Sequence, residues 1–199
     1  MIRKLRGLYT ALNRLFDGIG DICLDCEFPR CQGYIWLLPQ EAKRLYSQGV
    51  EVLEVNDDIS FINPFSGSEK IDIEKIKPAC PWCKSKRCRM YKMRPLHCRM
   101  YPLSFATENE IVYLVLHLDC LYAKMKIKDA IFIERIKALF RRVDQKLFKK
   151  ILETYRSVDR ITKFPEGDNR IKRLVALEEF FRKGGEPCPS ARPSSTVRR

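Results

Sequence analysis

The residues with the most chemistry to offer are nine cysteines in a chain of 199 residues: Cys23, Cys26, Cys31, Cys80, Cys83, Cys88, Cys98, Cys120 and Cys188. Cys23-x2-Cys26 lets two thiolates reach one ion, because the intervening residues turn the chain so that both sulfurs point the same way. Cys31 follows as a third donor. A second group, Cys80-Pro-Trp-Cys83-x4-Cys88, is followed by Cys98 and Cys120. Free cysteine is also among the most buried residue types, so single members, Cys83 and Cys120 above all, also fit as core filler. Two clusters of thiols are harder to explain that way, and as a set they point to a metal centre.

The odd number of cysteines and the lack of a secretory signal argue against a disulfide framework. The longest apolar run, Ile111 to Leu116, ends at His117 and is too short for a membrane span. A cytoplasmic location, where thiols stay reduced, is the expectation. The formal charge of +13 raises nucleic acid or an acidic membrane surface as a partner. Residues 124–183 carry eighteen basic and nine acidic side chains among apolar ones, which is also how an ordinary solvated helix face reads.

From Cys88 the chain reads Cys-Arg-Met-Tyr-Lys-Met-Arg-Pro-Leu-His-Cys-Arg-Met-Tyr-Pro, ending at Pro102. This resembles the signature of the zinc- or iron-chelating cysteine-cluster family (YkgJ-like, CxxCxxCC), in which Cys-x2-Tyr-x2-Arg-Pro-x2-Cys-Arg-x-Tyr-Pro recurs. Cys80 matches an upstream family cysteine, and the resemblance runs from Cys23 to Cys120. It departs at the front: the family motif ends in adjacent cysteines, whereas Cys31 stands alone after Glu27-Phe-Pro-Arg30, and Cys83, an extra thiol, is the candidate for the missing place. The resemblance implies a metal held by Cys23, Cys26, Cys31, Cys80, Cys88, Cys98 and Cys120, with Cys83 as an eighth candidate.

Thiolates around one dication or cluster leave negative charge in a partly dry site, so Arg94 and Arg99 are expected to donate charge-assisted hydrogen bonds to sulfur. Pairing with surface carboxylates is the alternative for both. His97 is expected to pack beside the site and His117 to lie on a strand. Zinc favours Cys-x2-Cys pairs. Uneven spacings, with Phe28, Trp82 and Tyr91 as apolar shields, tilt the reading towards an iron–sulfur cluster. A cysteine motif similar to this one occurs in flagellin lysine N-methylase, where it looks like an iron–sulfur site.

The elements that must position these residues follow from periodicity. Ile2, Leu5, Leu8, Leu12, Leu15, Phe16 and Ile19 predict an amphipathic helix over 1–20. Turn formers predict a ligand-bearing loop from Asp21 through Cys31. Pro39 to Leu45 reads as a helix stopped at Gly49. Val50–Val55 and Ile59–Ile62 read as a hairpin, Lys70–Ile76 as a further strand and Ile111–Leu118 as another. Helical period returns from Ile127 to Leu152 in one helix or two stacked ones, and a last helix is expected over Asn169–Phe181.

The expected fold is α+β: a small cysteine-rich metal-binding domain over 21–123 with short antiparallel strands, preceded by the helix over 1–20. A basic helical segment over 124–183 and a disordered tail over 184–199, which carries Cys188, complete the chain. The function expected is metal binding through thiolates, as zinc or an iron–sulfur cluster, with a protein partner open. Two alternatives stand beside it. A redox or protein-modifying enzyme would need an open position at the centre, and no Gly-rich strand-to-helix turn for a nucleotide cofactor is present. A nucleic-acid-binding protein with a structural zinc would favour aromatics interleaved with arginine, and the basic residues after Lys124 form no such stripe.

Overall fold

The computed structural model describes residues 1–25, 35–56, 59–62, 80–84, 87–162 and 171–181. In chain order they form α1 (Leu5–Leu15), α2 (Ile19–Asp25), β1 (Trp36–Leu37), α3 (Pro39–Tyr46), β2 (Val52–Asn56) and β3 (Ile59–Ile62). Then come β4 (Cys83–Lys84), β5 (Arg87–Cys88), α4 (Leu96–Met100), β6 (Leu103–Glu108) and β7 (Ile111–His117). The chain continues through α5 (Leu121–Lys126), α6 (Ala130–Arg141), α7 (Gln145–Thr162) and β8 (Ile171–Ala176). The architecture is α+β with short antiparallel strands.

Strands β6, β7 and β8 form an antiparallel sheet in that order. Leu103 pairs with Leu116, Phe105 with Leu114 and Thr107 with Val112. The buried members of these pairs, Leu103, Phe105, Val112, Leu114 and Leu116, make the sheet's contribution to the main core. Asn109 (φ 48°) and Glu110 (φ 64°) close the β6–β7 hairpin with positive φ at both central positions, as a two-residue turn matched to the strand twist requires. Helix α7 brings Phe148, Ile151, Leu152, Tyr155 and Val158, a stripe at helical spacing, into the main core and meets the sheet at Phe105, whose ring faces Phe148 and Tyr155. Around Phe148 stand the rings of Phe105, Phe140, Phe180 and Phe181, with centroids 5.1–6.5 Å away.

Beside the main core lies a smaller one, made of Ile35, Leu37, Ala42, Leu45, Val50, Ile62, Cys80 and Met90. Its frame is the sheet β1–β3–β2 with α3 packed on it. The two cores share a wall. On β1, Trp36 belongs to the main core and Leu37 to the small one; on β3, Phe61 and Ile62 divide the same way. This follows from the strand period of two, which sends successive side chains to opposite faces.

Three expectations change. Residues 21–25 are helical rather than loop, because Ile19 and Ile22 reach the main core from α2 and Asp21 sits favourably in its first turn. Residues 171–176 form strand β8, followed by a short 3-10 turn over Leu177–Phe180, instead of a helix. A bulge between Leu114 and Val115 shifts the register and buries Val175 behind a half-buried Leu174, which imitates helical spacing in sequence. The helix expected over 1–20 ends at Leu15, and Ile19 belongs to α2. The stretch from Ile127 to Leu152 is two helices, α6 and α7, one of the two arrangements expected, with Asp129 capping α6 through Phe132 N–H at 3.1 Å. The Lys70–Ile76 strand and the 184–199 tail lie outside the described residues.

Among the described residues, no helix is long and apolar enough to cross a membrane. Residues after 124 pack into the same main core as α1, and β8 pairs with β7.

Candidate metal centre

The sequence brings its cysteines together in part. Cys80 is buried in the small core, and Cys88 and Cys98 pack against that core half-buried. These three arrive on different elements: the loop before β4, strand β5 and helix α4. Cys83 lies opposite Cys88 in the β4–β5 ribbon, with Lys84 opposite Arg87 and Arg89 N–H bonded to Trp82 O at 2.8 Å.

Cys120 is elsewhere, buried in the main core at the start of α5. Cys23 is exposed on α2, which packs against α5. Cys26, Cys31 and Cys188 lie outside the described residues, as does Phe28. Among the described residues, no group of three or more His, Cys, Asp or Glu side chains could hold a metal ion. The donor chemistry still fits, since thiolates are what structural zinc and iron–sulfur clusters both take.

The surroundings are apolar on the side of the small core, where Trp82 and Met93 pack with Met90. Tyr91 is 50% exposed and lies under the Arg94 guanidinium, 3.7 Å from its ring centroid, so it does not act as an apolar shield. His97 packs against Trp36, with ring centroids 5.5 Å apart. Its Nδ1 is buried without a hydrogen-bond partner. Burial, then the nearby His117, pushes its pKa down to about 4, so the ring is neutral at ordinary pH. His117 lies at the end of β7, as expected, with Nε2 2.7 Å from Ser104 Oγ and its ring stacked on Tyr101.

The helix that carries Cys98 is held by groups that the spacing of the cysteines does not reveal. Glu41, buried on α3, accepts the Leu96 N–H at the start of α4 at 2.6 Å, the Leu38 N–H at 3.0 Å and the Tyr9 hydroxyl. One carboxyl group thereby ties α1, α3 and α4 together. Burial raises the Glu41 pKa, opposed by its bonds from Tyr9, Leu38 and Leu96 and by Arg44, and burial also raises the Tyr9 pKa. The sequence carried one signal for this residue: a glutamate in the first turn after a proline, placed to accept its own helix's N-cap N–H.

Arg99 is buried and holds the loop before α4. It donates to Arg94 O at 2.6 Å, Lys92 O at 2.7 Å and Asn13 Oδ1 at 3.0 Å, with its guanidinium 4.6 Å from the Tyr9 ring centroid. Arg44 takes the intervening carbonyl, Met93 O, at 3.0 Å. Three successive carbonyls between Cys88 and Cys98 are thus fixed by two guanidinium groups, which gives Arg99 a positioning role. Arg94 bonds Tyr91 O at 3.3 Å through Nε.

The chain was compared with family models, with curated proteins and with solved structures, and nothing matches in any of the three.

Proposed function

We propose that this protein binds a metal through its cysteine thiolates, as zinc or an iron–sulfur cluster, with the cluster favoured. One observation carries the reading: Cys80, Cys88 and Cys98 converge on one small apolar core from three separate elements, with Cys83 in register opposite Cys88. Core filling alone does not require thiols at all of these positions. Cys23 and Cys120, on the packed pair α2 and α5, extend the donor set, and Cys26 and Cys31 follow Cys23 in sequence.

In this reading Glu41 and Arg99 orient the Cys98 helix and its approach loop, the task that outer groups perform at metal sites. Trp82, Met90 and Met93 exclude water from the thiols of the small core. His97, neutral and with an open Nδ1, is a candidate nitrogen donor beside Cys98. A bound centre would cross-link the segments that carry the thiols and so supply folding energy. The apolar setting and uneven thiol spacing support iron–sulfur over zinc.

The test is anaerobic purification with analysis for iron, zinc and acid-labile sulfide, together with an absorption spectrum. Iron with matching sulfide and a broad visible band is the expected result. Stoichiometric zinc in a colourless protein would keep the metal reading and reverse the preference, and a metal-free, folded protein would overturn it.

A further inference from the structure

Ile2 forms a parallel bridge with Val143, fixed by Ile2 N–H to Arg142 O at 2.6 Å and by Asp144 N–H to Ile2 O at 2.9 Å. These bonds hold the segment before α1 at the junction of α6 and α7. Two stretches of basic residues far apart in sequence therefore meet. From the first come Arg3, Lys4 and Arg6; from the second, Arg142, Lys146 and Lys150, all exposed. Among the described residues none of the six has an ion-pair partner, whereas Lys149, Arg141 and Lys137 do.

The placement runs against what stability alone favours. Cations brought near one junction repel one another. The first turns of α1 and α7 contain no acidic residue, although a helix start attracts negative charge. Asp144, just before α7, accepts Lys146 N–H at 3.1 Å and Leu147 N–H at 3.4 Å and offsets part of this positive charge. We propose that this surface, joined by the Ile2–Val143 bridge, binds the phosphate backbone of duplex nucleic acid without reading its sequence.

Two features favour a duplex over other polyanions. The apolar residues of α1 and α7, such as Leu8, Leu12, Phe148 and Ile151, are buried, so neither helix offers an apolar face to a lipid surface. Among the described residues the exposed aromatics, Tyr46 and Tyr91, lie on other elements, so these residues give the patch no platform on which single-stranded bases would stack. Cations alone recognise regularly spaced phosphates.

The experiment is fluorescence anisotropy of the full chain with a labelled DNA duplex of about 20 base pairs, long enough to exceed the patch, across a salt series. With four to six cations reaching phosphates, the slope of log K against log salt is expected at about −4 to −5. K146E/K150E is expected to make it shallower by about 2 and to weaken binding by about 30-fold or more near physiological salt. K124E/K128E changes the net charge equally from helix α5 and its end, and is expected to bind much as the parent. Equal losses in the two variants would reduce the effect to net charge and overturn the proposal. So would the absence of salt-dependent duplex binding, or binding to phosphatidylserine vesicles in its place.

Discussion

Replacing Glu41 by glutamine tests whether the helix bearing Cys98 is held from α3. The carboxyl group serves three buried donors: the Tyr9 hydroxyl, Leu38 N–H and Leu96 N–H. Glutamine keeps one acceptor oxygen and turns an N–H2 group towards the remaining donor, so in either amide orientation at least one buried donor loses its partner. That costs about 1–3 kcal/mol, a sizeable share of the roughly 5–15 kcal/mol that holds a domain folded. The pH dependence has a definite sign. Burial raises the Glu41 pKa above its ordinary 4.5, so the folded state binds this proton more readily than the unfolded chain. The group's contribution is then full below about pH 4.5 and declines as pH rises through the raised pKa. Glutamine does not titrate, so the deficit of E41Q in urea unfolding is expected to be largest at the acid end and to narrow as pH rises. Metal retention is a second readout, with a loss of about 10–100-fold expected if the network orients a ligand. A deficit below about 0.5 kcal/mol at every pH, the range of an ordinary surface substitution, would refute the reasoning.

Cys98→Ser is expected to lower bound metal by elemental analysis, while Cys188→Ser leaves it unchanged; equal metal in both would remove Cys98 from the ligand set. Phe148→Ala empties the centre of an aromatic cluster and is expected to cost about 3–5 kcal/mol in denaturant unfolding, with less than about 1.5 kcal/mol speaking against that packing. Arg99→Lys loses the fork that reaches Lys92 O, Arg94 O and Asn13 and is expected to destabilise by about 1.5–3 kcal/mol, seen as a lower urea midpoint. Glu110→Gly relieves a positive φ of 64° in the β6–β7 turn and is expected to raise stability by about 0.5–1 kcal/mol; a fall in the thermal midpoint would contradict that account of the turn.

Elements whose burial follows a regular local period were legible in the sequence. The stripe from Leu8 to Phe16, the Pro39 helix with its Gly49 stop at φ 78°, and the β2–β3 hairpin all read correctly from neighbours within a few residues. Strand β8 did not, because its state depends on β7, more than fifty residues earlier, and a bulge hides its alternation. Helix α4 was hidden because it is five residues long and its first N–H is satisfied by Glu41, 55 positions away. The spacing of the cysteines did not reveal that Cys80, Cys88 and Cys98 meet at the small core while Cys120 lies in the main one, because that division is made by tertiary packing. Arg99 was legible as important, but not that it bonds carbonyls, since a guanidinium suits a backbone oxygen as well as an anion. Tyr9 and Glu41 looked like ordinary members of amphipathic helices, and only tertiary packing made them partners.

The shared wall between the two apolar cores has a consequence for how the molecule comes apart. The main core draws on both ends of the described chain, from Leu8 to Leu177, whereas the small core has few large side chains and sits behind β1 and β3. Local opening follows local burial. Strands β1 and β3 also give Trp36, Ile59 and Phe61 to the main core, and Glu41 ties α3 to α1 and α4, so the small core opens only as far as that wall and that carboxyl group allow.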